Sequence, residues 1–487
     1  MIEGHEQAMS TVTLSLISHT NVGKTTLART ILRRDIGEVL DQAHVTEESE
    51  GFDLVAHGDD ALRLWDTPGL GDSARLMDRL KHQGNPLGWF LHQIWDRYRD
   101  RPLYSSQQAV RNIRAEADVI LYLVNASEDP GDAGYVAYEM ELLGWMEKPV
   151  MVLLNQTGVG KEEERVEVWR QALAKWPIVQ DFLPLDAFTR CWVQEGILLE
   201  RVSKLLSEAR QPVMHGLQNV WQERNLGVFE SSSKAVSDYL LRASGDLEVL
   251  DGQSPGKTEE RRATRVLSQR LDEATTLLMD QLIEEHGLEG RFQTVARDRL
   301  REDFDLPGAA ALSASRTTIL GAAMGGAAGG LVADVAVGGL TFGGGAVAGA
   351  LLGAAGAAGL RKGYQFVRGE DVQQVRWSDE FLKNLYRQSI LRYLAVAHFG
   401  RGRGAWRETG NPERWSGLVE GALEGRQETL SSAVDQARDG EDSSVFPDLT
   451  KSTLLDILSE GYPEAAHFLG RDLQPTTDST EPRENPE

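Results

Sequence analysis

The feature that most constrains this chain is a glycine, a lysine and a threonine at residues 23–25, placed between an apolar run and a helical pattern. The run TVTLSLI is typical of a buried strand, and KTTLARTILRRD is typical of a helix. A helix that begins directly after a glycine-containing turn presents free backbone N–H groups and the positive end of its dipole to an anion. The stretch SHTNVGKT therefore predicts a phosphate-binding loop, and a helix start that contains Gly-Lys-Thr by chance is the alternative.

The spacing within this loop is close to G-x-x-x-x-G-K-[ST], the usual pattern of phosphate-binding loops. Ser18 occupies the first glycine position, where a small residue fits if its φ is negative, and Gly23, Lys24 and Thr25 keep the rest. Lys24 would reach the β- and γ-phosphates of a nucleotide, and the Thr25 hydroxyl would bind Mg²⁺. The residues predicted to hold the nucleotide are Ser18, His19, Thr20, Asn21, Val22, Gly23, Lys24, Thr25 and Thr26.

A second motif, DTPG, follows the strand candidate ALRLW, although an ordinary turn would have the same composition. Asp66 at the strand end can hold Mg²⁺ through water, and the Gly69 N–H can meet the γ-phosphate. Thr46, in AHVTEESEG, is the expected switch residue for Mg²⁺ and γ-phosphate, with an exposed loop threonine as the alternative. Lys24, Thr46 and Gly69 are the predicted catalytic residues, and Thr25, Thr46 and Asp66 are the predicted Mg²⁺ ligands.

The stretches NVGKTTL and DTPGLGD resemble the Era/TrmE group of translation-factor-class GTPases. The whole chain, with its glycine-rich segment, also resembles bacterial GTPases that carry a C-terminal domain of unknown function, the 3482 family. The resemblance implies GTP or GDP as ligand, Mg²⁺ as cofactor and a hydrolase with a slow intrinsic rate. Asn21 matches an asparagine that helps hold K⁺ in potassium-activated members. Leu70 stands where many members have a water-positioning glutamine, and related members with an apolar residue there depend on K⁺ or a partner.

The base-recognition motif departs from the family pattern N-K-x-D, since the strand VMVLL is followed by NQTG. Asn155 is kept, Gln156 replaces the lysine, and Gly158 replaces the aspartate that accepts hydrogen bonds from guanine. We expect Asn155 and Gln156 to contact the base. Guanine preference should be weaker than in the family unless another acid, such as Glu162 or Glu163, supplies the missing acceptor.

Short apolar runs that alternate with helical patterns predict an α/β P-loop GTPase domain with a mostly parallel sheet and helices on both faces. The strand candidates are TVTLSLIS, FDLVA, ALRLWDT, DVILYLVNA and PVMVLLNQ. An all-α C-terminal region is expected to follow. Two helical stripes are predicted, at Leu267, Leu271, Ala274, Leu278 and Leu282 and at Phe381, Leu385, Gln388, Arg392 and Tyr393. The expected divisions are a GTPase domain at 1–225, helical segments at 226–306 and 363–470, a glycine- and alanine-rich hairpin at 307–362 and a disordered tail at 471–487.

The glycine-rich block, within residues 307–362, carries small residues four apart and a single charge, Asp334, between Thr317 and Leu360. Such spacing lets two helices approach closely, so we expect a helical hairpin that turns near Asp334. Arg316 and the Arg361–Lys362 pair flank the block, as in hairpins that enter and leave a membrane on the cytoplasmic side. A membrane-inserting hairpin, a close-packed soluble hairpin and disorder remain the three alternatives.

The stretch NPLGWFLHQIWDRYRD, which follows DTPG, has large apolar residues at helical spacing. One reading is a helix packed on the GTPase domain. The other is a switch-linked lid or a homodimer surface, because the segment begins near the expected γ-phosphate sensor. The residues concerned are Trp89, Phe90, Ile94, Trp95 and Tyr98.

The net charge of −23 argues against a broad nucleic-acid surface, because phosphates would be repelled. Cys191 is the single cysteine, and the first residues lack a basic region before an apolar run, so we expect a cytoplasmic protein, with the hairpin at the cytoplasmic face of the inner membrane. The expected function is a slow, Mg²⁺-dependent GTPase switch with a helical, membrane-associated effector region. The alternatives are a dynamin-like membrane-remodelling machine and a ribosome- or tRNA-associated factor.

Overall fold

The computed structural model describes residues 11–32, 49–82, 84–92, 101–157, 162–185, 191–250, 256–287, 364–368, 373–399, 412–440 and 444–469. No helix within these ranges combines the length and the apolar character needed to cross a bilayer. Several predictions lie outside the described residues, and they concern Thr46, Ile94, Trp95, Tyr98, Gly158, the hairpin at 307–362 and the tail at 471–487.

A six-stranded sheet organises the amino-terminal part of the chain. Its strands are β1 (Thr11–Ser18), β2 (Glu50–His57), β3 (Asp60–Asp66), β4 (Val119–Asn125), β5 (Val150–Asn155) and β6 (Val179–Pro184). The order is β2-β3-β1-β4-β5-β6, and every neighbouring pair is parallel except β2 with β3. The five predicted strands are confirmed. Strand β6 was not predicted, because Gln180 and Asp181 interrupt its apolar run at the edge of the sheet.

Both faces of this sheet are buried, which explains why its central strands read as continuous apolar runs. Side chains that alternate along a strand enter two separate cores, as Leu121 and Leu123 do on one face and Ile120 and Tyr122 on the other. The helices that flank the sheet are α1 (Lys24–Leu32), α2 (Ser73–Leu80), α3 (Pro86–His92), α4 (Arg101–Glu116), α5 (Tyr135–Gly144), α6 (Glu162–Leu173) and α7 (Trp192–Leu205). The predicted α/β architecture is confirmed.

The described part of the aromatic segment after DTPG packs on the domain. Phe90 of α3 is fully buried in the core beside α2 and α4, and Trp89 packs against the same core. The side chains of Gln107 and Arg111, both on α4, donate to the carbonyls of Phe90 and Leu91. For residues 86–92 the packed helix is therefore observed, and the dimer surface stays a prediction.

Long helices dominate the chain beyond residue 210. They are α8 (Gln211–Gly245), α9 (Lys257–Glu285), α10 (Asp379–Ala397), α11 (Pro412–Glu424), α12 (Gln427–Arg438), α13 (Val445–Gly461) and α14 (Ala466–Leu469), with a 3₁₀ turn at Pro463–Ala465. Helix α8 lies at the centre and packs against α7, α9, α10, α12 and α13. Both predicted stripes are confirmed as helices, α9 burying Leu267, Leu271, Leu278 and Leu282 and α10 burying Leu385, Arg392 and Tyr393.

The expectation of an all-α C-terminal region needs one correction. A small antiparallel sheet accompanies the helices, with the order β7-β9-β8, and its strands are β7 (Leu247–Leu250), β8 (Tyr364–Arg368) and β9 (Gln373–Trp377). Strands of four or five residues between long helices carry too little alternation to be recognised from the sequence. Val375 and Trp377 of β9 are buried and join the helical core.

The sheet and the long helices share one core. Helix α8 contacts β2 and β3, and the buried side chains of the sheet face, including Leu14 and Leu64, belong to the same apolar cluster as Phe229 of α8 and Tyr393 of α10. Helix α8 is continuous through residue 225, where the sequence predicts a domain boundary. That boundary is therefore not marked by the end of an element, and the predicted division stays a prediction.

Arg201 of α7 joins the end of the described chain to the edge strand β6 of the six-stranded sheet. Its guanidinium donates to the Asp181 carboxylate at 3.1 Å, to the Phe182 carbonyl at 2.8 Å and to the Glu464 carboxylate at 2.5 Å. Gly196 lies under Phe468 of α14, since a Cβ built at residue 196 would come within 2.9 Å of the ring. The last helical turns are thus held against α7.

Candidate functional site

The loop between β1 and α1 has the backbone shape that its sequence predicts. Asn21 and Gly23 have positive φ values of 65° and 95°, and the Gly23 carbonyl accepts the Leu27 N–H at 2.9 Å as α1 begins. Positive φ at residue 23 favours glycine, which has no Cβ to clash. Ser18 ends β1 without a positive φ, so a serine fits the first glycine position of the pattern.

Asn155 braces this loop from the end of β5. Its side chain is fully buried, and its Nδ2 donates to the Val22 carbonyl at 2.9 Å. A Cβ on residue 23 would lie 2.9 Å from the same Nδ2, which is closer than real Cβ contacts allow. The residue after it, Gln156, has a φ of 57° and is exposed. Asn155 is therefore part of the packing that holds the loop in this shape, and contact of Asn155 and Gln156 with a base stays a prediction.

Asp66 brings the two sequence motifs together. The parallel pairing of β1 with β3 places Asp66 opposite Leu16, two residues before Ser18. Lys24 Nζ donates to Asp66 Oδ1 at 2.9 Å, and Thr25 Oγ1 donates to Asp66 Oδ2 at 2.9 Å. The Lys24 and Asp66 side chains are only 7% and 3% exposed, so each charge depends on the other for compensation.

The oxygens at this point fit a magnesium ion. A carboxylate and a hydroxyl, from Asp66 and Thr25, are hard oxygen ligands of the kind Mg²⁺ prefers. Within the described ranges no three His, Cys, Asp or Glu side chains converge as a metal site of their own. Mg²⁺ is usually bound by one or two protein oxygens together with substrate phosphates.

The DTPG segment returns to the loop directly after Asp66. The Leu70 N–H donates to the Ser18 carbonyl at 2.9 Å, and residues 19 and 70 form a parallel bridge. A Cβ on Gly69 would lie 3.2–3.4 Å from Thr20 atoms, including its backbone, so this approach favours glycine. The Leu70 side chain is buried and has no polar atom with which to orient water.

The structure thus brings most of the predicted site residues to one place. Val22 and Thr26 are buried, so they would contribute to phosphate binding through their backbones, whereas Asn21 is exposed. Glu162 and Glu163, named as substitutes for the missing aspartate, lie in the first turn of α6. None of these placements tests the predicted roles.

One buried carboxylate beside the loop was missed by the sequence analysis. Glu139 of α5 is fully buried and lies 2.7 Å from His19 Nδ1. It accepts the Ser73 hydroxyl at 2.8 Å and the Tyr122 hydroxyl at 2.6 Å. Burial, and then the adjacent Glu139 carboxylate, raise the pKa of Tyr122 well above its ordinary value. The His19 ring also stacks on Tyr135, with centroids 4.0 Å apart.

A signal for Glu139 is present in the sequence. In YVAYEMELLG it stands on the stripe formed by Val136, Met140 and Leu143, all of which are buried. A charged residue on the buried stripe of a helix requires polar partners, because an unpaired buried charge is costly. The loop and DTPG motifs alone gave no reason to look at α5.

Comparison with known families identifies both parts of the chain. Residues 170–452, more than half of the chain, match the family model described as domain of unknown function (DUF3482). The chain belongs to the DUF3482 family. Residues 13–156 match the model described as 50S ribosome-binding GTPase. The amino-terminal α/β part of this DUF3482 protein is therefore a P-loop GTPase domain, and it makes the chain a GTP-binding protein. No curated protein matches the sequence.

Solved structures with some similarity to the DUF3482 protein include Era from Aquifex aeolicus bound to GDP·AlF₄⁻, with 15% identity, 56% of this chain and 90% of that chain covered, and a TM-score of 0.31. The GMPPNP-bound NFeoB of S. thermophilus has 14% identity, covers 54% and 89%, and scores 0.25. An oligomerised bacterial dynamin pair has 10% identity, covers 94% and 70%, and scores 0.24. Likenesses at these identities and scores say nothing about what this chain binds.

Proposed function

We propose that this DUF3482 protein is a slow, Mg²⁺-dependent GTPase switch whose helical region responds to the state of the nucleotide site. The observation that carries the proposal is the convergence of Lys24 and Thr25 on Asp66 at the start of α1, beneath a loop with the shape of a phosphate cradle. Two sequence motifs that are separated by more than 40 residues meet there through the pairing of β1 with β3.

The roles of the chain's residues follow from this geometry. The backbone N–H groups at the start of α1 would hold the phosphates, and Lys24 would exchange its bond to Asp66 for one to the β- and γ-phosphates. Thr25 and Asp66 would hold Mg²⁺, which supplies positive charge that neutralises the phosphate oxygens. The N–H of Gly69, a residue with no room for a Cβ beside Thr20, would meet the γ-phosphate.

A slow rate is expected because Leu70 cannot orient the attacking water. The buried Leu70 side chain stands where many GTPases have a glutamine, so the chain itself supplies no such group at this position. Asn21, which is exposed and has a φ of 65°, is the residue proposed to hold K⁺ beside the phosphates. Hydrolysis should then be faster in K⁺ than in Na⁺, and Asn21→Ala should remove the difference.

Packing supports a link between the nucleotide site and the helical region. Strands β2 and β3, of which β3 ends at Asp66, are in contact with α8. Helix α8 is in turn the central helix of the C-terminal region. A displacement of β2 and β3 on nucleotide binding would therefore be transmitted to α8. Association with a membrane through residues 307–362 and dimerisation through the GTPase domain stay predictions.

The proposal is tested by the binding of fluorescent GTP, GDP and ATP to the full-length protein with Mg²⁺ or with EDTA. Wild type should bind the guanine nucleotides with full affinity only when Mg²⁺ is present. Lys24→Ala should lose binding, because it removes the positively charged side chain that the proposal places at the phosphates. Lys234→Ala, which changes an exposed lysine of α8, is the matched control and should bind normally. Equal binding by Lys24→Ala and wild type would overturn the assignment of the loop.

The weakened base motif adds a second measurement to this experiment. Without an acid at residue 158, the preference for GTP over ATP should stay below about a thousandfold, or about 4 kcal/mol. A larger preference would show that another acid replaces the missing aspartate. Glu162→Gln and Glu163→Gln would then identify it.

A further inference from the structure

We propose that Glu139 is a positioning residue that couples the phosphate-binding loop to helix α2, and that GTP hydrolysis depends on this coupling. The inference rests on the proposed function, because it concerns the rate of that reaction. Glu139 does not belong to the loop, to DTPG or to the base motif. It lies on α5, which carries none of the predicted site residues.

The carboxylate has an arrangement that joins three elements. Oε1 is shared by His19 Nδ1, from the loop, and the Ser73 hydroxyl, from the first residue of α2. Oε2 accepts the Tyr122 hydroxyl, from β4 at the centre of the sheet. The bond to β4 anchors the carboxylate, while the other oxygen holds the loop and α2 together.

On the side of the loop, the link reaches residues that the proposed function places beside the γ-phosphate. His19 lies between Ser18, whose carbonyl accepts the Leu70 N–H, and Thr20, which packs against Gly69. Its ring is held by Glu139 on its edge and by Tyr135 on its face. A shift of the loop when phosphate binds would therefore act on the shared oxygen of Glu139.

On the other side, Ser73 begins the helix that follows DTPGLGD. The backbone before it is held by Ser106 of α4, whose hydroxyl lies 3.3 Å from both the N and the O of Gly71. The apolar face of α2 packs in the core of the domain, and just past its last residue the half-exposed Lys81 ammonium lies 3.5 Å from the Glu141 carboxylate. The bond from Ser73 to Glu139 is thus a buried polar link between the start of this helix and α5.

Because Glu139 is fully buried, its carboxylate depends on its hydrogen-bond donors. A carboxylate with no exposure needs donors for both oxygens, and here it has three. A glutamine at residue 139 has similar size but one acceptor oxygen and a donating NH₂ group, so it cannot accept from all three partners. Ser73→Ala removes a single donor and leaves the helix intact, because alanine favours helices.

The test is steady-state GTP hydrolysis by the full chain, together with equilibrium binding of GDP, for Glu139→Gln, Ser73→Ala and the double variant. We expect each single variant to lower kcat about tenfold, the effect of one buried hydrogen bond, with KM and GDP affinity changed by less than about threefold. The double variant should be no slower than the worse single variant, because both changes remove the same link. Lys81→Met, which removes a half-exposed ion pair with Glu141 just past the end of α2, should hydrolyse GTP at the wild-type rate.

The outcomes separate this inference from the proposed function. A wild-type protein without GTP hydrolysis overturns both. Wild-type hydrolysis with unchanged Ser73→Ala and Glu139→Gln variants overturns the coupling alone, as does a double variant in which the two effects multiply. A parallel loss of GDP affinity, kcat and thermal stability in Ser73→Ala would show that the residue has only a structural role, and the proposal would be wrong. If Glu139→Gln does not fold, Ser73→Ala and its comparison with Lys81→Met still decide the matter.

Discussion

The side-chain amide of Asn155 donates to the backbone carbonyl of Val22 at 2.9 Å, which joins the fifth strand to the phosphate-binding loop. The position that the family resemblance assigns to the base therefore also shapes the phosphate cradle. It also explains the glycine at residue 23, since a methyl group there would collide with the same amide nitrogen at 2.9 Å. The loop and the end of β5 should respond together to substitution.

Gly23→Ala is expected to lose nucleotide binding and to destabilise the fold by more than Gly58→Ala. Both glycines have positive φ, 95° and 59°, so each alanine carries a backbone cost of about 1–2 kcal/mol. Only Gly23 also has a close neighbour, Asn155, because nothing lies within 4 Å of a Cβ at residue 58. Urea unfolding and fluorescent nucleotide titration of both variants test this. Equal affinities would contradict the role of Asn155.

Asp66→Asn is expected to destabilise the protein by about 3 kcal/mol, because it leaves the buried Lys24 ammonium without its carboxylate. The variant should also lose the Mg²⁺ dependence of GTP affinity. Asp53→Asn is the matched control, since it breaks an ion pair with Arg63 that is more than a third exposed and should change stability by less than about 1 kcal/mol. Thermal unfolding and titration with and without EDTA give both results. Similar losses in the two variants would argue against a special role for the pair at the loop.

Tyr122→Phe is expected to change the alkaline stability of the protein. Burial and Glu139 raise the pKa of Tyr122, so above pH 10, the ordinary tyrosine pKa, the folded chain keeps a proton that the unfolded chain loses. The free energy of unfolding therefore falls as pH rises beyond that value. Phenylalanine should make this fall shallower, although it costs about 1 kcal/mol at pH 7 because Glu139 loses a donor.

Denaturant unfolding between pH 8 and pH 11 measures this slope. Burial also raises the pKa of Tyr386 and Tyr393, so some decline should remain in the variant. Parallel curves for wild type and Tyr122→Phe would contradict the prediction.

Arg201→Met is expected to loosen the attachment of the last helical turns to α7. It removes three acceptor contacts, to Asp181, Phe182 and Glu464, at a side chain that is 20% exposed, and should cost about 1–2 kcal/mol. Nucleotide affinity should stay unchanged, because the contacts lie away from the loop. Lys204→Met, on the same helix, breaks an exposed pair with Glu200 and should have almost no effect. A comparable destabilisation by Lys204→Met would contradict the specific attachment.

The sheet and the site core could be predicted because their physical signals are local. A buried parallel strand is a continuous apolar run, and the turn from β1 into α1 carries its own glycine and lysine. Asp66 was found for the same reason, since a strand precedes it and DTPG follows it directly. These residues needed no knowledge of distant contacts.

Other features depend on contacts that the sequence does not display. Strand β7 is four residues long and pairs with β9 more than 120 positions away, so only tertiary packing defines it. The partners of Glu139 come from the loop, from α2 and from β4, and no spacing rule joins them. The bracing of Val22 by Asn155 spans 133 positions and was likewise visible only in the structure.

Helix α8 contacts the sheet of the GTPase domain and is also the central helix of the C-terminal bundle, so the two parts form one structural unit. The DUF3482 match begins at residue 170, inside α6, so it includes β6 of the GTPase sheet as well as the helical region. A gene fusion joined at residue 225 would cut in two the helix that contacts both β2 and β3 and five other helices. Exchange of the helical region alone would therefore divide the apolar core that it shares with one face of the sheet.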